Sequence, residues 1–193
     1  MKKHLLFGLI LILGISCQDK KSKYNSEAIE LNNNACELMK LGLNDSALIL
    51  LNKATTLDST YYTAFINKVE IYYQSKDYKK ALIEAENILK VKPDFAEAWT
   101  YSGMLYEIFG DSTKAKIYYE KSVDLFEQRI KNSKDKNSII SNRLNKAFSN
   151  ILLGNENEGR KELFELKEKY KLNIDYYLTA KRSDLVNDIF NQE

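Results

Sequence analysis

Residues 91–99 read Val91-Lys-Pro-Asp-Phe-Ala-Glu-Ala-Trp99, and residues 57–65 read Leu57-Asp-Ser-Thr-Tyr-Tyr-Thr-Ala-Phe65. The two stretches are offset by 34 residues and both close on an aromatic side chain. One stride further back lies Lys23-Tyr-Asn-Ser-Glu-Ala-Ile-Glu-Leu31, which is less similar. Working outward from these stretches, apolar and small residues recur with the same stride. Leu31, Ala35 and Leu38 sit at i, i+4 and i+7, as do Phe65, Val69 and Tyr72, and Trp99, Gly103 and Tyr106. A second family of triplets follows each of these: Ala47, Leu51 and Ala54; Ala81, Ala85 and Ile88; Ala115, Tyr119 and Ser122. That rhythm marks one face of an α-helix, so each unit reads as two amphipathic helices.

The breaks recur as well. Gly42 to Asp45, Lys76-Asp77 and Gly110-Asp111 fall at equivalent places. Glycine tolerates the left-handed conformation that ends a helix, and Asn or Asp caps the helix that follows. A fourth unit follows at an offset of 44, with Gly154-Asn155, Gly159, Leu163 and Leu166 mirroring Gly110-Asp111, Ala115, Tyr119 and Ser122. The ten extra residues fall around Lys131 to Asn137, where either a long helix or a bulging loop is expected. The tail from Asp175 to Phe190 carries a last apolar set and reads as a capping helix with a break near Ser183.

This pattern resembles the tetratricopeptide repeat (TPR), a 34-residue helix-turn-helix unit. In order along each unit, that family prefers a large residue, a small one and Tyr, then small, aromatic, small and finally Pro. Trp99, Gly103, Tyr106, Ala115, Tyr119 and Ser122 meet the first six preferences, with Glu127 where Pro is expected. Phe65, Tyr72, Ala81 and Pro93 meet theirs, while Val69, Ala85 and Ile88 depart. The resemblance implies an all-α, right-handed solenoid of antiparallel helix pairs, about four units over residues 28–172, with a C-terminal capping segment over 173–193. One helix pair cannot bury its apolar face alone, and stacked neighbours bury it for one another.

The resemblance also implies a concave groove lined by the first helix of each unit. Its inward places fall on Ile29, Asn32, Cys36 and Met39 in the first unit and on Thr63, Ile66, Glu70 and Tyr73 in the second. In the third they fall on Glu97, Thr100, Met104 and Glu107, and in the fourth on Ser141, Leu144, Phe148 and Ile151, a set apolar enough for the tail helix to cover it. The first three sets mix acidic, polar and apolar groups and lack the Lys and Arg cluster with which some relatives clamp a peptide carboxylate. A partner segment with apolar and basic side chains is expected instead. Cys36, between Ala35 and the core position Leu38, is expected as a partly buried, inert thiol, although it could in principle pair with Cys17. Tyr72, Tyr106 and Tyr119 are core by register, and Tyr73 is free to face outward.

At the N-terminus, Met1 to His4 form a short positive head, and Leu5 to Ile15 run without a charge. Eleven helical residues span about 16 Å, too short to cross a bilayer comfortably and well suited to a secretory signal. Leu13-Gly14-Ile15-Ser16-Cys17 resembles a bacterial lipobox, in which the cysteine becomes lipidated after cleavage, although Gly14 stands where Leu is favoured. A signal peptide over 1–16, lipid on Cys17 and a spacer over 17–27 are therefore expected, with Gln18 after the cysteine favouring the outer membrane.

Composition narrows the function. The 193 residues carry a net charge of +2, which falls to zero once Lys2 and Lys3 leave with the signal. That balance offers no basic footprint for nucleic acid. The one histidine is His4, so the chain from residue 17 lacks the commonest general base and metal ligand. No phosphate loop, HExxH or CxxC is present, and pairs such as Glu84/Glu86 read as solvated surface. No catalytic residue, metal or cofactor is assigned. The expected function is a lipid-anchored scaffold of the bacterial cell envelope that binds another envelope protein or peptide. The alternative is an envelope protein that captures a peptide or glycan through exposed tyrosines.

Overall fold

The computed structural model describes residues 23–190. The expected signal peptide and Cys17 lie outside the described residues. Among the described residues there are ten α-helices and no strand. They are α1 (Ser26–Lys40), α2 (Asn44–Leu57), α3 (Tyr62–Gln74), α4 (Tyr78–Val91), α5 (Ala96–Ile108), α6 (Ser112–Asn132), α7 (Lys136–Leu153), α8 (Glu156–Tyr170), α9 (Asp175–Thr179) and α10 (Arg182–Phe190). The fold class is all-α, built of consecutive helix pairs as the resemblance implies. The described chain forms two compact units, 23–98 and 99–190.

Each pair closes in the same way. At the end of α1 the Leu43 N–H donates to the Leu38 carbonyl at 2.9 Å and the Gly42 N–H to that of Met39 at 3.0 Å. The pattern repeats as Asp77 to Tyr72 with Lys76 to Tyr73, Asp111 to Tyr106 with Gly110 to Glu107, and Asn155 to Asn150 with Gly154 to Ile151. This is the Schellman closure, and it needs one left-handed residue. Gly42, Gly110 and Gly154 supply it with φ of 74°, 83° and 102°, and Lys76 supplies it with φ of 58°.

The caps of the second helices are less uniform than the sequence suggests. Asp77 accepts from the Lys80 N–H and Asp111 from the Lys114 N–H. Asn44 and Asp45 instead fall inside α2, whose cap position is Leu43 and carries no side-chain bond. Asn155 stands at the cap of α8 but makes no capping bond either; its amide donates to Asn150 at 3.4 Å.

In the N-terminal unit, Ala28, Ala35, Ala47, Leu51, Ala54 and Tyr61 form one apolar core. The second-helix triplets are buried in all four units, and Ala81, Ala85 and Ile88 have essentially no exposure. The first-helix positions are less complete: Leu31, Leu38, Tyr72 and Trp99 are only half-buried. In the C-terminal unit Trp99 and Tyr106 both pack on Tyr118, with ring centroids 4.8 and 5.0 Å away. Burying side chains such as Leu51 or Ile88 contributes about 1.5–3 kcal/mol each.

The small positions set how closely the helices approach. A Cβ added to Gly103 on α5 would lie 2.7 Å from Cε1 of Tyr119 on α6. One added to Gly159 on α8 would meet the carbonyl oxygen of Ala147 on α7.

The ten extra residues extend helices. α6 runs to Asn132, seven residues beyond the register of α4, and α7 starts at Lys136, four residues before the register of α5. Asp135 caps α7 by accepting from the Ser138 N–H at 2.6 Å. The tail is two helices, and its break falls at Ala180 and Lys181, before Ser183.

Candidate functional site

In the N-terminal unit Asn32 is fully buried, Thr63 and Ile66 nearly so, and Met39 is 9% exposed. Glu70 and Tyr73 are half-buried, and so is Glu97 at the start of α5. Asn32 is part of a polar cluster between α1 and α3. The Asn67 amide donates to the Asn32 Oδ1 at 2.7 Å and to the Cys36 Sγ at 3.5 Å. Cys36 is fully buried and is held as a disulfide whose partner lies outside the described residues, which replaces the expected partly buried free thiol.

Further along α3, Glu70 Oε1 accepts from Gln74 at 2.7 Å. Burial raises the Glu70 carboxyl above its ordinary value, and the Gln74 bond offsets part of that rise. Burial also raises the Tyr73 phenol, helped by Tyr78, whose ring lies 6.2 Å away. On the same helix Lys68 Nζ lies 2.6 Å from Glu84 Oε1 of α4, with both side chains about nine-tenths buried. Glu84 was expected on a solvated surface and is instead half of a buried ion pair. Asn87 donates to its second oxygen at 3.2 Å, and Lys68 also sits over the Phe65 ring. The overlooked signal is spacing: Glu84 is three residues after Ala81 and so shares its inner face.

In the C-terminal unit Met104 has no exposure and Thr100 very little. The hydroxyls of Thr100 on α5 and Ser149 on α7 are 3.0 Å apart. Glu107 is the most heavily engaged of the expected residues. The Arg182 guanidinium donates to its Oε1 at 2.7 Å and its Oε2 at 2.8 Å, and the Tyr119 hydroxyl donates to Oε2 at 2.9 Å. Arg182 Nε also donates to the Leu152 carbonyl at 2.8 Å. The bonds to Glu107 raise the guanidinium above its ordinary value. Burial, followed by the Glu107 charge, raises the Tyr119 phenol. A cavity of about 160 Å³ opens beside this network, lined by Glu107, Ala115, Tyr119, Leu152 and Arg182 among others. Phe148 of the fourth set is covered edge-on by Tyr177 of α9, with centroids 5.9 Å apart.

Among the described residues no group of three or more His, Cys, Asp or Glu is placed to hold a metal ion. No described helix is long and apolar enough to cross a membrane.

Residues 96–129, from the start of α5 into the last turns of α6, match a family model described as tetratricopeptide repeat. That stretch is similar to one tetratricopeptide repeat. The matched stretch is the unit in which Trp99, Gly103, Tyr106, Ala115, Tyr119 and Ser122 meet the family's preferences. The chain is also similar to a protein named Heat shock protein sti1 homolog from Schizosaccharomyces pombe (strain 972 / ATCC 24843), at 30% identity over 78 residues. That match covers 40% of this chain and 13% of the relative, so the chain spans only a small part of that protein's length. Together these matches support a protein-protein interaction scaffold.

Proposed function

We propose that this chain is a lipid-anchored scaffold of the bacterial cell envelope that holds a segment of another envelope protein against the inner faces of its first helices, without catalysing a reaction. The observation that carries the scaffold reading is the TPR match at 96–129, set among four helix pairs that close by the same hydrogen bonds. The acidic character along this face comes from Glu70 and Glu97, both half-buried, which suits a partner with basic and apolar side chains. The anchor reading rests on the charge-free run Leu5 to Ile15 followed by Ser16 and Cys17. Two or more acyl chains hold a protein firmly at a membrane, and the outer membrane is the proposed location.

A thioether at Cys17 and a disulfide through the same sulfur exclude one another. In the anchored form Cys36 is therefore not joined to Cys17. Intact mass spectrometry of the protein from membranes reads both: a chain starting at Cys17 with added acyl mass supports the anchor, and an unmodified chain starting elsewhere removes it.

Affinity capture from intact envelope tests the scaffold. The expected result is a stoichiometric protein partner whose affinity falls when Glu70 is reversed to Lys. Half-exposed Tyr73, next to Tyr78, keeps ligand capture as the second reading. Retention of a glycan or free peptide without a protein partner would favour it over the scaffold.

A further inference from the structure

The C-terminal helix α10 presents one side to the rest of its unit. Arg182 starts that side, and Leu185, Val186, Ile189 and Phe190 follow it at three, four, seven and eight places, all four buried. Arg182 forks onto Glu107 of α5 and reaches the Leu152 carbonyl of α7, while the Phe190 ring lies 6.0 Å from that of Tyr101 on α5. The preceding helix is tied down in the same way. Tyr177 covers Phe148, and Arg160 of α8 donates to the carbonyls of Tyr177 and Ala180 at 2.9 and 2.8 Å. Glu107 is a place assigned above to a partner, and Phe148 falls at an inward register of the next first helix. The tail therefore lies on the face proposed for partner binding, and it satisfies that face with one arginine and an apolar stripe.

We propose that residues 175–190 are an intramolecular stand-in for the partner, and that this face takes a helix of the same pattern, an arginine followed by apolar residues at three, four, seven and eight places. The inference rests on the scaffold reading and names its ligand more closely. A nine-residue helix does not persist alone in water, so α10 is held only by what it touches. The Arg182–Glu107 pair is about a quarter exposed, and such pairs contribute modestly to stability. The cavity of about 160 Å³ beside Arg182 leaves room that the tail does not fill. A partner helix with the same side chains and a better fit replaces the tail contact for contact, and its apparent affinity is reduced by the fraction of time the tail occupies the face.

The test titrates a fluorescent peptide of residues 175–190 onto the full chain and onto the full chain carrying Arg182→Ala, by anisotropy. The Arg182→Ala chain is expected to bind the peptide about tenfold more tightly than the parent, because its own tail competes less. A peptide carrying Arg182→Glu is expected to bind neither chain. Equal affinities for the two chains, binding by neither, or binding of the Arg182→Glu peptide would overturn the proposal. Hydrogen exchange on the parent is the second measurement. Amides of 182–190 exchanging well before those of α7 support a detachable tail, and exchange in step with α7 overturns it. If an envelope partner is captured equally by both chains, this inference fails and the scaffold stands. If the peptide binds as expected but no protein partner is captured, the scaffold fails.

Discussion

At the scale of single residues, the closures between paired helices offer the cleanest comparison, because four equivalent turns use three glycines and one lysine. Lys76 holds φ of 58° where Gly42, Gly110 and Gly154 hold similar values. A side chain in that conformation costs roughly 1–2 kcal/mol against glycine. Lys76→Gly is therefore expected to stabilise the chain by about 1 kcal/mol, read from the urea midpoint at constant m-value. Gly110→Ala is expected to do the reverse by a similar amount, and purely through the backbone, since nothing lies within 4 Å of the added Cβ. Gly103 presents a different case. It is helical, so propensity alone would favour alanine by about 1 kcal/mol. Its Cβ, however, would meet the Tyr119 ring at 2.7 and 2.8 Å, and that ring is pinned by its bond to Glu107. Overpacking of this kind costs about 1–3 kcal/mol, so the clash wins and Gly103→Ala is expected to lower stability in the same assay.

At the scale of elements, the pair α3 and α4 is joined by a charge pair as well as by apolar contacts. Lys68 and Glu84 are both about 7% exposed. Removing one partner leaves an uncompensated buried charge, and Glu84→Ala is expected to cost about 3–5 kcal/mol in equilibrium denaturation. Replacing both, as Lys68→Met with Glu84→Leu, is expected to return stability to that of the parent or above it. A double variant as unstable as Glu84→Ala would show that the pair contributes net stability. This pair also marks where the sequence stops being readable. Helix positions and the first three breaks were legible because a 34-residue stride fixes them several times over, as Ala47, Ala81 and Ala115 illustrate. A charged residue between two core positions carries no such stamp: Glu84 reads as surface until Lys68 is found across the interface. The same holds for Glu107, placed on the inner face by register, whose partner Arg182 lies 75 residues away with no periodic relation to it. The long α6 and α7 were legible only as a surplus of ten residues, since the polar run around Lys131 suits a helix surface and a loop equally.

At the scale of the whole molecule, the charge distribution fixes how stability depends on pH. Among the described residues three carboxyls are held below their ordinary values. For Asp58, burial would raise the group, but bonds from Thr60 and from the Asn25 N–H outweigh it. Asp77 and Glu127 are lowered chiefly by hydrogen bonds from Lys80 and Lys131. Each binds its proton less readily folded than unfolded, so its contribution is present above the unfolded value and is lost as pH falls through the lower folded one. Glu70 acts in the opposite sense: with its folded value raised by burial, it favours the folded state below the unfolded value and loses that contribution as pH rises through the folded one. With three groups against one, the thermal midpoint is expected to fall on acidification below about pH 4. Between about pH 6.5 and 8 the chain from Cys17 onward contains no histidine, and histidine is the side chain that ordinarily titrates there. A flat midpoint across that interval, measured by calorimetry on the chain beginning at Cys17, is the expected result. A slope there would mean that a group from the acidic or basic end has been driven into the neutral range, and the half-buried Glu70 is the first to substitute, as Glu70→Gln, because burial already moves it upward.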